Sequence, residues 1–302
     1  MANRSRSVGG TVTFDLLLLY YDNPATLAVW LHRLFEHSDF LDHDGQVIVC
    51  DTGTPQERIP ETVKVLQQYP IRTAYLHVDT SSLREACDKE LLCRPAAVTY
   101  NTALKHVCQS ELLIHSVLGI VFTPTYFADI LAVHETNQCL YLQFQSLRSK
   151  APDYYVDGYK KPLPDALGEE PVWLTAYGFP DWSCRRDHLV AVGGWDEDFI
   201  AWGVADVDLC CRLTGKAEAG VAANLYFCDQ PDAPPYPNYG LEFRMPDNPA
   251  KFSLVATGYD GYLPEDDPRR QASNDHNRRI LYQKWGIMKR RSPTKLPYQI
   301  IL

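Results

Sequence analysis

Gly193-Gly194-Trp195-Asp196-Glu197-Asp198-Phe199-Ile200-Ala201-Trp202-Gly203-Val204-Ala205-Asp206-Val207-Asp208-Leu209 is the stretch that decides how this chain is read. Acids and aromatics alternate here with small residues. The run then leads into a helix expected over Asp208 to Thr214. Carboxylates beside an apolar run are costly unless they face water, a cation or a substrate. Aromatic rings next to carboxylates suit a sugar-binding surface, because a ring stacks on the apolar face of a pyranose while carboxylates accept its hydroxyl protons.

Working outward, the flanking sequence alternates strand and helix patterns. Val12 to Tyr21 reads as a buried strand, and Asn23-Pro24-Ala25-Thr26 opens a helix over Ala25 to Glu36. Gln46 to Cys50 is a second strand, ending at Asp51-Thr52-Gly53-Thr54. A helix over Ile59 to Gln68, a strand over Ile71 to His77, a helix over Ala96 to Val107 and a strand over Glu111 to Leu118 follow. Thr125 to Glu135 reads as a further helix, Trp173 to Gly178 as a strand, Asp187 to Val192 as a short helix and 269–286 as the last one. This alternation predicts an α/β fold with a mostly parallel central sheet flanked by helices, and ligands belong at the strand ends of such sheets. One domain is expected over 11–290, with a first half (11–145) and a second half (146–290). Residues 1–10 and 291–302 read as tails. The Pro-rich stretches 151–171 and 229–268 read as loops, the second a lid carrying Tyr236, Tyr239 and Phe243, with a polar cluster at Asp229 and Asp232.

Composition narrows the function classes. With a net charge of −9 across 302 residues, the chain has no nucleic-acid footprint. No apolar run is long enough to span a membrane. Nine cysteines in an odd, irregular spacing, with no C-x-x-C pair, argue against a zinc ribbon and for reduced thiols, so a cytoplasmic setting is expected. No signal peptide or N-terminal anchor is visible.

The opening stretch resembles the acceptor-site motif of GT-A-fold glycosyltransferases, G-G-F-D-E-x-F-x-x-W-G-x-E-D-x-D-L. It matches at Gly193, Gly194, Asp196, Glu197, Phe199, Trp202, Gly203, Asp206, Asp208 and Leu209, and departs at Ala205, where the family usually has Glu. Val47 to Thr54 resembles the family's V-D-[DN]-G-S, which implies that Asp51 accepts a hydrogen bond from a nucleobase. Its residue-level alternative is a turn Asp. Thr99 to Ala103 resembles A-R-N-x-G, implying a nucleotide contact for Asn101, and Asn23 occupies the place of the first nucleotide-contacting loop. Asn274 to Gly286 resembles the C-terminal N-x-x-x-F-x-x-K-W-G segment, which brings His276 into view as a metal or phosphate ligand or as an ordinary surface histidine.

The resemblance implies a transfer of a sugar from a nucleotide-activated donor to a hydroxyl-bearing acceptor, with inversion. Asp206 would be the general base or a helix N-cap. Trp202, Asp196, Glu197 and Asp208 would meet the acceptor, Asp208 being equally suited to the first turn of a helix. Trp195 reads as core. One family feature is missing. Where D-x-D should hold a divalent cation, the chain has Val117-Leu118-Gly119, and the nearest polar residues are His115 and Ser116. No Mg²⁺ or Mn²⁺ is therefore expected, and His115, Ser116 and His276 are the candidates for holding donor phosphate or metal instead. Three readings stay open: a metal-independent transferase, a related enzyme using another donor, and a non-catalytic saccharide or partner binder.

Overall fold

The structure is a computed structural model that describes residues 12–118, 120–143, 146–149, 173–174, 182–214, 240–244, 253–256, 268–286 and 298–300. The expected tail 1–10, the loop 151–171, and Asp229, Asp232, Tyr236 and Tyr239 lie outside them.

The large sheet has the strand order β10-β6-β9-β4-β1-β2-β3-β12. Its centre is built from β1 (Phe14–Tyr20), β2 (Gly45–Asp51), β3 (Thr73–Val78) and β4 (Leu112–Val117). These four run parallel, in the order 3-2-1-4. β9 (Trp182–Arg185) lies antiparallel between β4 and β6 (Leu140–Gln143), and β10 (Glu242–Arg244) extends β6 in parallel. Tyr298–Ile300, inside the segment expected to be a tail, forms β12 antiparallel to β3. A second, smaller sheet joins β5 (Ile120–Val121), β7 (Ser146–Ser149), β8 (Trp173–Leu174) and β11 (Ser253–Ala256).

The central strands are buried on both faces, which is why they read as continuous apolar runs. Leu17, Ile48, Cys50 and Leu113 face one core; Phe14, Leu16, Leu18, Val47, Val49, Leu112 and Ile114 face the other. The second core is covered by α1 (Pro24–His37), α2 (Ile59–Leu66) and α5 (Tyr126–Thr136). Helix α1 starts where Asn23 caps it through a 3.1 Å bond from the Thr26 N–H, with Pro24 in the first turn. Its Leu27, Trp30, Leu31 and Leu34 recur at helical spacing and enter that core.

The first core is covered by α4 (Ala96–His106), α6 (Arg186–Ala191) and α7 (Ala205–Thr214). The short α3 (Ser81–Ala86) and the long α8 (Pro268–Gly286) complete the helices that concern the site. The chain winds outward from β1 to β3 and then crosses back to β4 on the other side of β1. Ligands in such sheets sit beyond the carboxyl ends of strands flanking that reversal.

One buried acid ties this crossover down. Asp15 on β1 has no exposed surface and accepts from the Gln109 N–H (2.8 Å), the Ser110 N–H (3.0 Å) and the Ser110 hydroxyl (2.8 Å) at the entry to β4. Asp15→Ala should cost on the order of 3 kcal/mol, because it strands several donors in the core. A lowered urea midpoint with unchanged slope would show this; an unchanged midpoint would contradict it.

Candidate active site

The 193–209 stretch closes over the first core in a series of turns. Gly193 (φ +81°) and Gly194 (φ +73°) end α6 in the left-handed region, with the Gly194 N–H returning to the Leu189 carbonyl. Trp195 then turns inward and stacks on Tyr100 at 4.7 Å. Asp196 accepts from the Asp198 N–H at 3.0 Å, tightening the next turn. Ile200 to Trp202 runs alongside Leu92 to Arg94. There the Arg94 N–H donates to the Ile200 carbonyl (2.7 Å) and the Trp202 N–H to the Leu92 carbonyl (2.9 Å). Val204 adopts φ +69°, an uncommon conformation for a β-branched residue, and α7 begins directly after it.

Three side chains from distant parts of the chain hold these turns. The Asn101 side chain reads the Trp195 backbone as another strand would: Oδ1 accepts from the Trp195 N–H (2.8 Å) and Nδ2 donates to the Trp195 carbonyl (2.8 Å). Nδ2 also donates to Glu197 Oε1 at 2.9 Å. Arg212 donates from Nη1 to the carbonyls of Val192 (3.0 Å) and Gly194 (2.7 Å), and its Nε pairs with Asp208 at 2.7 Å. Asn277 on α8 donates to the carbonyls of Ala201 (2.8 Å) and Gly203 (2.6 Å). None of these partners is visible in the motif itself. Only Arg212 left a sequence trace, as an acid–base pair spaced i, i+4 on a helix.

These contacts revise several expected roles. Asp208 has no exposed surface and is paired with Arg212, so it positions the glycine turn and is not a surface for an acceptor. Both donor directions of the Asn101 amide are engaged by the 195–197 loop, so it positions that loop and has no hydrogen left for a diphosphate. Asp196 and Glu197 accept bonds that shape the same loop. Trp202 is half-buried, with the Arg270 guanidinium 4.7 Å from its ring centroid.

His115 and Ser116 do not form a joint phosphate or metal site. As neighbours on β4 they point to opposite faces of the sheet. His115 is buried against Trp182, the two rings stacked nearly parallel at 5.2 Å, and it hydrogen-bonds the Tyr100 hydroxyl. The Ser116 hydroxyl is buried with no hydrogen-bond partner among the described residues. His276 is half-buried on α8.

At the carboxyl end of β2, Asp51 is fully buried. Oδ1 takes the Thr54 N–H (3.0 Å) and the Thr54 hydroxyl (2.7 Å); Oδ2 takes the Tyr75 hydroxyl (2.6 Å) and His77 Nδ1 (2.7 Å). Four bonds use the lone-pair capacity of a carboxylate, so this acid fixes the 51–54 turn from inside. Burial, with the Asp51 charge second, holds the Tyr75 hydroxyl well above its ordinary pKa, so it stays a donor. Asn23 sits beside this turn as the α1 cap, and its N–H donates to the Tyr20 hydroxyl at 3.0 Å.

Asp206 differs from the other acids. It lies in the first turn of α7, half-buried, where desolvation raises its carboxyl from the ordinary 3.8 to about 7, with the Trp195 side chain opposing the shift. A carboxylate with a pKa near the working pH suits proton abstraction. The helix begins at Ala205, so Asp206 is inside the first turn and is not the N-cap.

No protein-family profile matches this sequence, and no curated protein matches it. Solved structures do match. GalNAc-T7, solved with UDP, GalNAc and Mn²⁺, aligns over 91% of this chain and 50% of its own at a TM-score of 0.50 and 9% identity. The fold is that of the GT-A glycosyltransferases. The mannosyltransferase PcManGT of Pyrobaculum calidifontis, with GDP-Man and Mn²⁺, aligns over 82% of this chain and 58% of its own (TM-score 0.47, 13% identity). Glucosyl-3-phosphoglycerate synthase of Mycobacterium tuberculosis, with Mn²⁺ and UDP-glucose, aligns over 93% and 81% (TM-score 0.48, 10% identity). The chain thus spans between half and three-fifths of the length of the first two.

The expectation that Mg²⁺ or Mn²⁺ plays no part is overturned by the GT-A structure of GalNAc-T7, which holds Mn²⁺ together with UDP. The missing D-x-D was too narrow a ground for it, because a divalent cation can take its oxygen ligands from other carboxylates, from water and from the diphosphate itself. Among the described residues, no three His, Cys, Asp or Glu side chains gather as a cation site requires. No helix among them is long and apolar enough to cross a membrane.

The Asn101 clamp yields a test. A Cβ on Gly194 would lie 2.3 Å from Asn101 Oδ1, at a φ that disfavours any side chain. Asn101→Ala and Gly194→Ala should each cost about 1–3 kcal/mol. Because both break the same clamp, the double variant should cost at least about 1 kcal/mol less than their sum. Additive losses in chemical denaturation would disprove the shared clamp.

Proposed function

We propose that this chain transfers a sugar from a nucleotide-activated donor to an acceptor hydroxyl, with inversion, and that Asp206 removes the hydroxyl proton. The observation that carries the reading is Asp206 itself, a half-buried carboxyl raised to about 7 at the start of α7, on a GT-A fold. Asp208 is paired with Arg212 and Glu197 is held by Asn101, whereas burial raises the Asp206 carboxyl, which favours it as the proton acceptor of the 193–209 stretch.

In this reading the donor nucleotide lies along the carboxyl ends of β1 and β2, against the Asp51–Thr54 turn and Asn23. Asp51 acts there by fixing the turn through Thr54, Tyr75 and His77. The acceptor lies against Trp202 and the Asp196–Glu197 turn, which directs its hydroxyl to Asp206. As that hydroxyl oxygen attacks the anomeric carbon, its proton passes to Asp206 and the nucleoside diphosphate leaves from the opposite face. A divalent cation, such as the Mn²⁺ of the GT-A neighbours, would neutralise the leaving diphosphate. Among the described residues, no three His, Cys, Asp or Glu side chains gather to hold it. The eight described cysteines are free thiols, which suits a reducing compartment such as the cytoplasm.

The test is a transfer screen over nucleotide sugars, with Mn²⁺ and after chelation, on the wild type and Asp206→Asn. The variant should lose about 10²–10⁴ in rate. Wild-type activity should fall as pH drops through about 7, since the base must be ionised. Stability supplies an independent sign. The folded state holds the Asp206 proton more tightly than the unfolded chain, so the wild type loses stability as pH rises from about 4 to about 7, while Asn has no such loss. Asp206→Asn should therefore be folded, nearly inactive and more stable at pH 8 than the wild type. A fully active Asp206→Asn would refute the base.

A further inference from the structure

We infer that Arg84 is a positioning residue that ties the 51–54 turn to the loop carrying Trp202, and so sets the distance between the two sides of the site. The inference deepens the proposed function and rests on its reading of these two segments as the donor side and the acceptor side.

Arg84 lies partly buried on the short α3, just after β3. A guanidinium is a planar fork whose donors point in fixed directions. Here each of its three nitrogens donates within the chain. Nη2 reaches the Thr52 carbonyl at 2.9 Å and the Thr52 hydroxyl at 3.4 Å. Nε reaches the Thr80 hydroxyl at 3.1 Å, and Nη1 reaches the Cys93 carbonyl at 3.4 Å. The plane of the fork lies over Tyr21, the residue that follows β1, with its central carbon 4.2 Å from the ring centroid. One side chain thus meets the chain beyond β1, the turn after β2, the residue that opens α3 and the segment before α4.

On the turn side the contact is close. Thr80 is fully buried, and its hydroxyl donates to the Thr52 carbonyl at 2.6 Å. A Cβ on Gly53 would lie 2.7 Å from that hydroxyl, at φ +97°. The turn is therefore seated directly on Thr80 and Arg84. On the other side, Cys93 pairs with Ala201 in an antiparallel bridge. The bonds from the Arg94 N–H to Ile200 and from the Trp202 N–H to Leu92 flank it, and Ser273 on α8 takes the Leu92 N–H at 2.7 Å. Arg84 grips the middle residue of the segment along which Trp202 is laid. From donor turn to acceptor loop the path is Thr52, Arg84, Cys93 and Ala201, a single side chain and one backbone pairing. Lysine would keep the charge there, but one nitrogen on a flexible stem cannot serve acceptors in three directions.

The experiment is amide hydrogen exchange on the ¹⁵N-labelled full chain, without ligand, for the wild type, Arg84→Lys and Arg84→Gln. The Trp202 and Arg94 N–H groups should exchange about tenfold or more faster in both variants, the scale set by losing a hydrogen bond from a charged donor. The Gln109 and Ser110 N–H groups, held by Asp15 at the opposite end of β1, should be unchanged. Unchanged exchange at Trp202 and Arg94 overturns the inference. So does wild-type exchange in Arg84→Lys, which would make charge and not the fork the cause, and so does equal acceleration at Gln109 and Ser110, which would make Arg84 a residue of general stability. A second measurement needs no variant: in the wild type the Arg84 Nε–H should give a slowly exchanging resonance moved upfield by the Tyr21 ring, and a resonance at the ordinary arginine position overturns the geometry. Once transfer is measurable, Arg84→Lys should lower kcat about tenfold or more, with the KM for nucleotide sugar and for acceptor each changed less than about threefold, because both still bind but meet misplaced. A loss confined to the KM of the nucleotide sugar would mean that Arg84 serves the donor turn alone, which also overturns it. The exchange and resonance measurements use no substrate, so they stand or fall separately from the proposed transfer.

Discussion

The hydrogen bonds between the Asn101 amide and the Trp195 main chain are the constraint on which the rest of the site depends. A single side chain on α4 satisfies both polar groups of a residue 94 positions later, with a third bond to Glu197. This joins the first half of the domain to the second. It sets the height of the glycine turn above α4, presses the Trp195 ring onto Tyr100, and delivers the chain to the start of α7. Gly194 has no side chain because the Asn101 oxygen occupies that space.

Around that clamp, charge is used in two distinct ways. Asp15, Asp51 and Asp208 are completely buried, and each is matched by donors or by a cation. Such acids are tolerable in a core because their lone pairs are filled, and they hold backbone turns in place. Asp206 sits a few residues from Asp208 on the same helix but lacks an equivalent set of partners, and burial raises its affinity for a proton. The difference between the three paired acids and Asp206 is the supply of donors, since burial acts on all of them.

Both halves of the molecule follow the same plan. At β2 the turn after Asp51 is fixed from within by Thr54, Tyr75 and His77. At the 193–209 stretch the turns are fixed by Asn101, Arg212 and Asn277. In each place the motif acids and amides serve the backbone. The turns leave the Trp202 ring only partly covered, beneath the Arg270 guanidinium.

The alternation of strands and helices, the helix opened at Asn23 and the burial of Trp195 were legible in the sequence, because they follow from local spacing, capping chemistry and ring size. β9 and β12 were not, since a short strand is defined by its neighbours. Nor could the sequence show that Asp51, Asn101 and Asp208 spend their polar groups inside the chain: the same residue types would serve a ligand if their partners were elsewhere. His115 and Ser116 illustrate the limit. Adjacent in sequence, they are separated by the plane of the sheet, and only the packing of Trp182 and Tyr100 against one face commits His115 to the core. The chain's pattern determined the α/β class and the order of its central strands and helices. The tertiary structure decided which acid is free to take a proton, because desolvation and donor supply are properties of residues brought together from distant parts of the chain.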